Sequence, residues 1–363
     1  MSLLLSPVRV GPVVVRNRAW VSPMCQYSCE ARDGIPTPWH HEHLTSFARG
    51  GAGLVMTEAA AVEPAGRISP QDAGIWDDAQ AAAWAPIAER IRDHGAVPAM
   101  QLAHAGRKAS TFREWSGRGT VPLDEGGWQT VSATTDAFGA FAPPRALSAG
   151  EVAALPALFA AAARRAVAAG FAAVEVHAAH GYLLHQFLSP LSNTRDDEWG
   201  TDGDGLRVAL LRRVIEAVRE AVPGAAVMVR LSASDWVPGG IDTAMTVEHV
   251  KAALAAGADW LDLSSGGLDP RQEIPLSPGY QVPFARAVRE ATGASVNAVG
   301  LIDEPEHAER VLADGEADAV MLGRAWLRNP HWALLAETAL DGGAALHAAS
   351  VWPPQYTRAR PRG

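Results

Sequence analysis

Hydrophobic and polar positions along this chain fall into two alternating patterns. Short apolar runs, rich in Val, Leu, Met and Ala, are followed by longer stretches in which apolar residues return with helical period. The patterning predicts strand and helix pairs over 18–21 with 37–49, 54–61 with 78–93, 97–102 with 149–169, and 173–177 with 205–221. Four more follow: 227–232 with 247–256, 260–264 with 284–291, 295–299 with 304–313, and 319–323 with 326–340. Glycines at 50, 51, 95, 170 and 257 mark helix stops. Parallel strands need helical crossovers, and eight such pairs close a sheet, so the expected fold is α/β, a (β/α)8 TIM barrel spanning 1–363 as one domain. Residues 103–147 make a long polar, Gly- and Trp-rich excursion after the third strand, on the face where such barrels keep their chemistry.

Composition narrows the function. With 363 residues, 48% hydrophobic and 20% charged, the chain suits a large core. A net charge of -9 without a Lys/Arg cluster argues against nucleic acid as a partner. No window approaches the roughly 20 apolar residues of a membrane span, and the N-terminal run lacks the marks of a secretion signal. The two cysteines, Cys25 and Cys29, share one short segment and need no disulfide framework, so a reducing cytoplasm is the expectation.

The predicted strand ends carry Pro23-Met24-Cys25-Gln26-Tyr27, Glu58-Ala59-Ala60, Gln101 to His104, His177 to Tyr182, Arg230-Leu231-Ser232, Ser264 to Gly267, Ala298-Val299-Gly300 and Gly323-Arg324. Gly266-Gly267, Gly300 and Gly323 follow strands six to eight, where backbone N–H groups and helix starts hold phosphate, and Arg324 adds a charged fork. Gln101 can donate to and accept from an amide-and-imide edge, and Arg230 would stabilise negative charge on a reduced ring. Together these favour a phosphorylated planar cofactor, FMN rather than a dinucleotide; no strand-to-helix G-x-G-x-x-G is present. In the stretch VHAAHGYLLHQFL, His177, His180 and Tyr182 read three ways: core histidines held by carbonyls, metal ligands, or an oxygen-binding pair with a proton donor. Residues 39–43, Trp-His-His-Glu-His, look like a metal cluster but are read as a solvated or packing face of the first helix.

The runs SPMCQYSCE, DAGIW, QLAHAGRKAS, EVHAAHGYLLHQFLSPLSNTRDDEWG, VRLSASDW, LSSGG and LGRAWLRNP resemble the old yellow enzyme family of FMN-dependent ene-reductases, in its thermophilic-like class with a cysteine at strand one. The resemblance implies noncovalent FMN, NADPH or NADH as hydride donor, and an activated alkene (an unsaturated carbonyl, maleimide or nitroalkene) as acceptor in a ping-pong cycle. It implies flavin contacts from Pro23, Met24, Cys25, Ala60, Gln101, His177 and Arg230, with Cys25 tuning the flavin. The phosphate side would be Val299, Gly300, Gly323 and Arg324, bordered by Ser265, Gly266 and Gly267. His177 and His180 would hold the substrate oxygen and Tyr182 would protonate the α-carbon, with Tyr27 and Ile68 lining the pocket. It further implies a homodimer or homotetramer in which tail residues 343–363 lie at an interface and Arg358 reaches a neighbour's site. No metal is expected. The rival readings are a metal-dependent barrel hydrolase and a flavin-binding barrel without turnover.

Overall fold

A computed structural model describes residues 2–203, 205–341 and 350–360. Eight parallel strands close into a barrel: β1 (Ala19–Val21), β2 (Leu54–Ala61), β3 (Val97–Ala103), β4 (Ala173–Ala178), β5 (Ala226–Ser232), β6 (Trp260–Ser264), β7 (Val296–Ala298) and β8 (Ala319–Leu322), each hydrogen-bonded to its sequence neighbours and β8 to β1. The long helices are α1 (Pro38–Arg49), α2 (Asp78–Asp93), α3 (Ala149–Ala168), α4 (Ala209–Ala221), α5 (Thr243–Ala255), α6 (Val282–Thr292), α7 (Pro305–Ala313) and α8 (Trp332–Asp341). The expected (β/α)8 TIM barrel is therefore the fold.

Helix starts follow their caps more closely than their apolar period. The Asp242 side chain accepts from Met245 N, so α5 begins four residues before the start expected from periodicity, 243 rather than 247. The Asp77–Gln80 and Ser148–Glu151 capping boxes set the starts of α2 and α3. The helix expected over 326–340 is broken in two, Arg324–Arg328 and α8, because Pro330 has no N–H to continue the ladder.

Alternation along the strands sorts the core into two bodies. Outward residues such as Val21, Leu102, Val176, Val229 and Val320 pack against the helices. Inward residues at the N-terminal end, Trp20, Met56, Ala99, Met228, Trp260 and Met321, fill the barrel, and Val10 and Val15 of an antiparallel hairpin plug it from below. Above this apolar plug the next inward positions are polar: Gln101, Glu175, Arg230, Asp262 and Asn297, all buried. Register pairs Gln101 with Glu175, Arg230 with Asp262, and Asp262 with Asn297. Among the described residues, no helix is long and apolar enough to cross a membrane.

Candidate active site

Two cavities open at the C-terminal ends of the strands and share His180 and Arg230. One, of about 370 Å3, is lined by Pro23, Cys25, Tyr27, Ala59, Gln101, Glu114, Trp115, His177, Tyr182 and the two shared residues. The other, of about 290 Å3, takes in Ser22, Met24, Ser264, Ser265, Tyr280, Gln281, Val299, Gly300, Gly323 and Arg324. Most of the residues expected at the site are thus brought together, on either side of Arg230.

The histidine corner sits where β4 ends. The His177 ring centroid lies 5.2 Å from that of His180 and 5.1 Å from that of Tyr182, edge to face in both cases. His180 Nε2 is 2.7 Å from Ser264 Oγ, and the His177 Nδ1 is buried with no protein partner. Burial, reinforced by the positive charge of Arg230, holds both imidazoles well below the ordinary histidine pKa, so each is neutral and carries one N–H. Burial likewise raises the Tyr182 phenol above its usual range, which keeps its proton in place. His180 has φ +58 and Gly181 φ +73, a left-handed turn that costs a non-glycine residue energy and needs external support. Lys108 supplies it: its Nζ donates to the carbonyls of His180 and Gly267 at 2.9 Å each and sits 5.1 Å from the Tyr182 ring centroid. Burial pushes the Lys108 ammonium down to about 8.

Opposite that corner, the loop after β1 is held from behind. β2 shifts register between Met56 and Ala59, and such a bulge re-aims side chains. Ala59 consequently lines the cavity, while Ala60 lies in the outer core. Glu58 points outward too, placing Oε1 3.0 Å from His40 Nε2 and accepting the Gln26 amide on Oε2 at 3.0 Å. His40 Nδ1 accepts the Thr37 amide at 2.8 Å. Part of the 39–43 run, expected to face solvent or pack, is therefore a buried hydrogen-bonded support for the Cys25–Tyr27 loop. Burial, with Asp72 and Glu58 nearby, raises the Cys25 thiol well above its normal value. The cost of ionising beside Cys25, and then burial, raise Tyr27, whose own backbone is strained at φ +51. Among the described residues no group of three or more His, Cys, Asp or Glu could hold a metal ion.

The glycines divide by task. Gly300 is at φ +117, and a Cβ there would come 2.8 Å from Gln281 Nε2; Gly323 precedes the short helix begun by Arg324. Gly266 and Gly267 stand outside both cavities. A Cβ on Gly267 would meet the His180 backbone at 2.6 Å and one on Gly181 the Gly267 carbonyl at 2.1 Å, so these glycines let two loops touch. Ile68 also lies outside the cavities, its backbone tied to Asp72 and Thr111. Arg358 is exposed on a 3-10 turn of a tail that packs beside Arg16, Arg49 and His94, at the barrel's opposite end from the cavities. Of the tail expected over 343–363, residues 343–349 and 361–363 lie outside the described residues.

Sequence reasoning missed Glu114 and Trp115, which the excursion after β3 brings to the cavity rim; Trp115 stacks edge-on to Tyr27 at 6.0 Å. It also missed Lys108, the contact of Ser264 with His180, and the buried carboxylates Glu175 and Asp262. The last had a signal: Glu175 and Asp262 are charged residues inside the apolar runs AVEVHA and WLDLS.

The residues fit FMN by their donors and their shape. Gln101 donates Nε2 to Glu175 Oε1 at 2.7 Å and borders the cavity, so its carboxamide has a fixed orientation toward an amide-and-imide edge. Arg230 Nε is 3.0 Å from Asp262 Oδ2, which holds a cation beside the same cavity. Gly300, Gly323 and Arg324 offer backbone approach and charge for a phosphate.

Comparison with known proteins agrees. The sequence profile of the NADH:flavin oxidoreductase / NADH oxidase family matches residues 3–341. An NADPH dehydrogenase of Listeria innocua is 42% identical over 359 residues, 99% of each chain, and one of Geobacillus thermodenitrificans is 41% identical over 357 residues, 98% of each. Morphinone reductase superposes with a TM-score of 0.76 at 26% identity, covering 95% of this chain and 91% of its own. A 2-naphthoyl-CoA reductase complex, at 23% identity, shares the fold with a TM-score of 0.85 over 94% of this chain and 52% of its own.

Proposed function

The chain belongs to the NADH:flavin oxidoreductase / NADH oxidase family, the old yellow enzymes, and is an NAD(P)H-dependent FMN oxidoreductase; from that premise we propose that it is an ene-reductase. The acceptor is an alkene activated by a carbonyl, imide or nitro oxygen. Bound FMN would supply the hydride for the β-carbon, having drawn it from NAD(P)H. The chain's own residues do the rest. His177 and His180, each a neutral imidazole, direct N–H groups at the activating oxygen and draw charge toward it, leaving the β-carbon electron-poor. Tyr182, kept protonated, delivers its phenolic proton to the α-carbon. Gln101 and Arg230 hold the ring that Pro23, Met24 and Cys25 border, and Val299, Gly300, Gly323 and Arg324 hold its phosphate. Tyr27 and Trp115 narrow the entrance.

The observation that carries this reading is the convergence of two neutral histidines and one protonated tyrosine on the cavity that Gln101 and Arg230 also line. The position of Arg358, away from its own chain's cavities, supports a second element: in an oligomer it serves a neighbouring copy's site.

The test is anaerobic stopped flow of the FMN-loaded protein, with reduction by NADPH and reoxidation by an enone followed separately. For Tyr182→Phe, flavin reduction should be unchanged while turnover of slowly protonated enones falls. Loss of one oxyanion donor in His177→Ala should slow reoxidation by about 100-fold. Unchanged reoxidation in both variants would overturn the role assignments. A protein that binds FMN and oxidises NADPH yet reduces no alkene would favour the rival reading of a flavin barrel without ene-reductase turnover.

A further inference from the structure

The polar layer of the barrel has an unequal charge count. Glu175 on β4 and Asp262 on β6 are both fully buried, and Arg230 between them on β5 is the cation they share. Asp262 has a cation and a donor: Arg230 Nε lies 3.0 Å from Oδ2 as an ion pair, without an aligned hydrogen bond, and the Asn297 amide donates to Oδ1 at 2.6 Å. Glu175 has one partner, the Gln101 amide on Oε1, while Oε2 is buried with none. An ionised carboxylate with an unpaired oxygen in such a place is costly, and removing its charge relieves the cost. The charged groups facing Glu175 are Arg230 and Asp262, with Gln101 its one hydrogen-bond donor.

We infer that Glu175, hydrogen-bonded to the Gln101 that borders the candidate flavin cavity, is a neutral carboxylic acid and a proton-accepting group linked to flavin reduction. Burial first, then the Asp262 charge, raise its pKa to about 8, with Arg230 opposing. Below that value it is protonated in both redox states of the flavin. Above it, the oxidised protein carries Glu175 ionised. Negative charge gained by the ring on reduction competes for Arg230 and raises the Glu175 pKa further, so reduction draws a proton from solvent onto Glu175. The balance is closed: NADPH passes a hydride, two electrons and a proton together, which needs no solvent proton, and the carboxylate takes one proton to become the acid.

This inference rests on the proposed flavin chemistry, and its test separates the two. FMN-loaded protein is mixed anaerobically with one equivalent of NADPH in weakly buffered solution containing a pH indicator, while flavin bleaching is followed in parallel. Near pH 7 no proton is taken up. Near pH 9 uptake rises toward one per flavin, with its half-point near or above 8, and Glu175→Gln abolishes it. Complete bleaching without uptake at either pH, or unchanged uptake in Glu175→Gln, overturns the inference. Absence of bleaching counts against the flavin reading instead. The infrared difference spectrum of the flavin-free wild-type chain between pH 7 and 9.5, with and without 13C-glutamate, decides the protonation state even if the variant fails to fold: a glutamic acid carbonyl band lost at high pH supports it, and no such band overturns it.

Discussion

The two halves of the barrel interior use the same strands to opposite ends. Below the level of Gln101 and Asp262, inward positions are Trp, Met and Ala, and the Trp20 and Trp260 rings lie 4.9 Å apart. Above it they become Gln, Glu, Arg, Asp, His and Ser, several lacking full hydrogen-bond partners. Within one β-strand the change takes two residues, as from Ala173 to Glu175 or from Trp260 to Asp262. The lower half gains from burial and close packing; the upper half gives up such gains to aim dipoles and a cation at a ligand. Stability and chemistry should therefore respond to different substitutions.

The largest effect is expected below. Trp260→Ala removes a fully buried indole and leaves Asn297 Oδ1 without its 2.9 Å donor; it should cost about 3–5 kcal/mol of stability by denaturant titration. A small cost there would erase the contrast. Next, His177→Ala should lower the alkene half-reaction by about 100-fold, a change of about 2.7 kcal/mol in barrier, with little loss of thermal stability because the ring gives up no nitrogen partner at Nδ1. If unfolding tracked activity in this variant, the halves would not be separable. Arg324→Ala should weaken FMN binding by about 1.5–3 kcal/mol, the range for a charged hydrogen bond, read by fluorescence titration, and leave the melting temperature of the flavin-free protein unmoved. Trp115→Ala, on an indole 63% exposed at the rim, should change stability by less than about 0.5 kcal/mol while raising KM for bulky alkenes.

pH sharpens the same contrast without mutation. Because the histidine pKa values are lowered, protonation of His177 or His180 belongs to acid well below 6.5, and the alkene half-reaction should show no histidine limb between pH 6 and 8. Because Tyr182 is raised, no loss through its ionisation should occur below about pH 10. A limb near the ordinary histidine value would mean that the imidazoles are more solvated than their burial indicates.

Much of this was legible in the chain. Eight apolar runs with eight helical periods define the barrel, and a strand's last residues must lie at the mouth, which is why the sequence alone locates His177, Gln101, Arg230 and Gly300 there. The bulge in β2 could not be read, since LVMTEAAA alternates acceptably either way; it decides whether Ala59 or Ala60 faces inward. Trp115 and Lys108 belong to a segment without periodicity, so nothing local says that they return to the mouth. Gly266-Gly267 look like any phosphate-binding pair in sequence, and only the approach of another backbone reveals their task. His40 stood in a histidine-rich helix start whose partner, Glu58, is contributed by the next strand.

That approach has a practical side. The loop after β4 touches the loop after β6 through Gly181 and Gly267, and Lys108 from the excursion after β3 grips a carbonyl on each. For anyone recombining this scaffold with a relative, the three segments form a single cassette. Transplanted together they carry their own fit, whereas a crossover placed between them would pair a glycine with a foreign backbone.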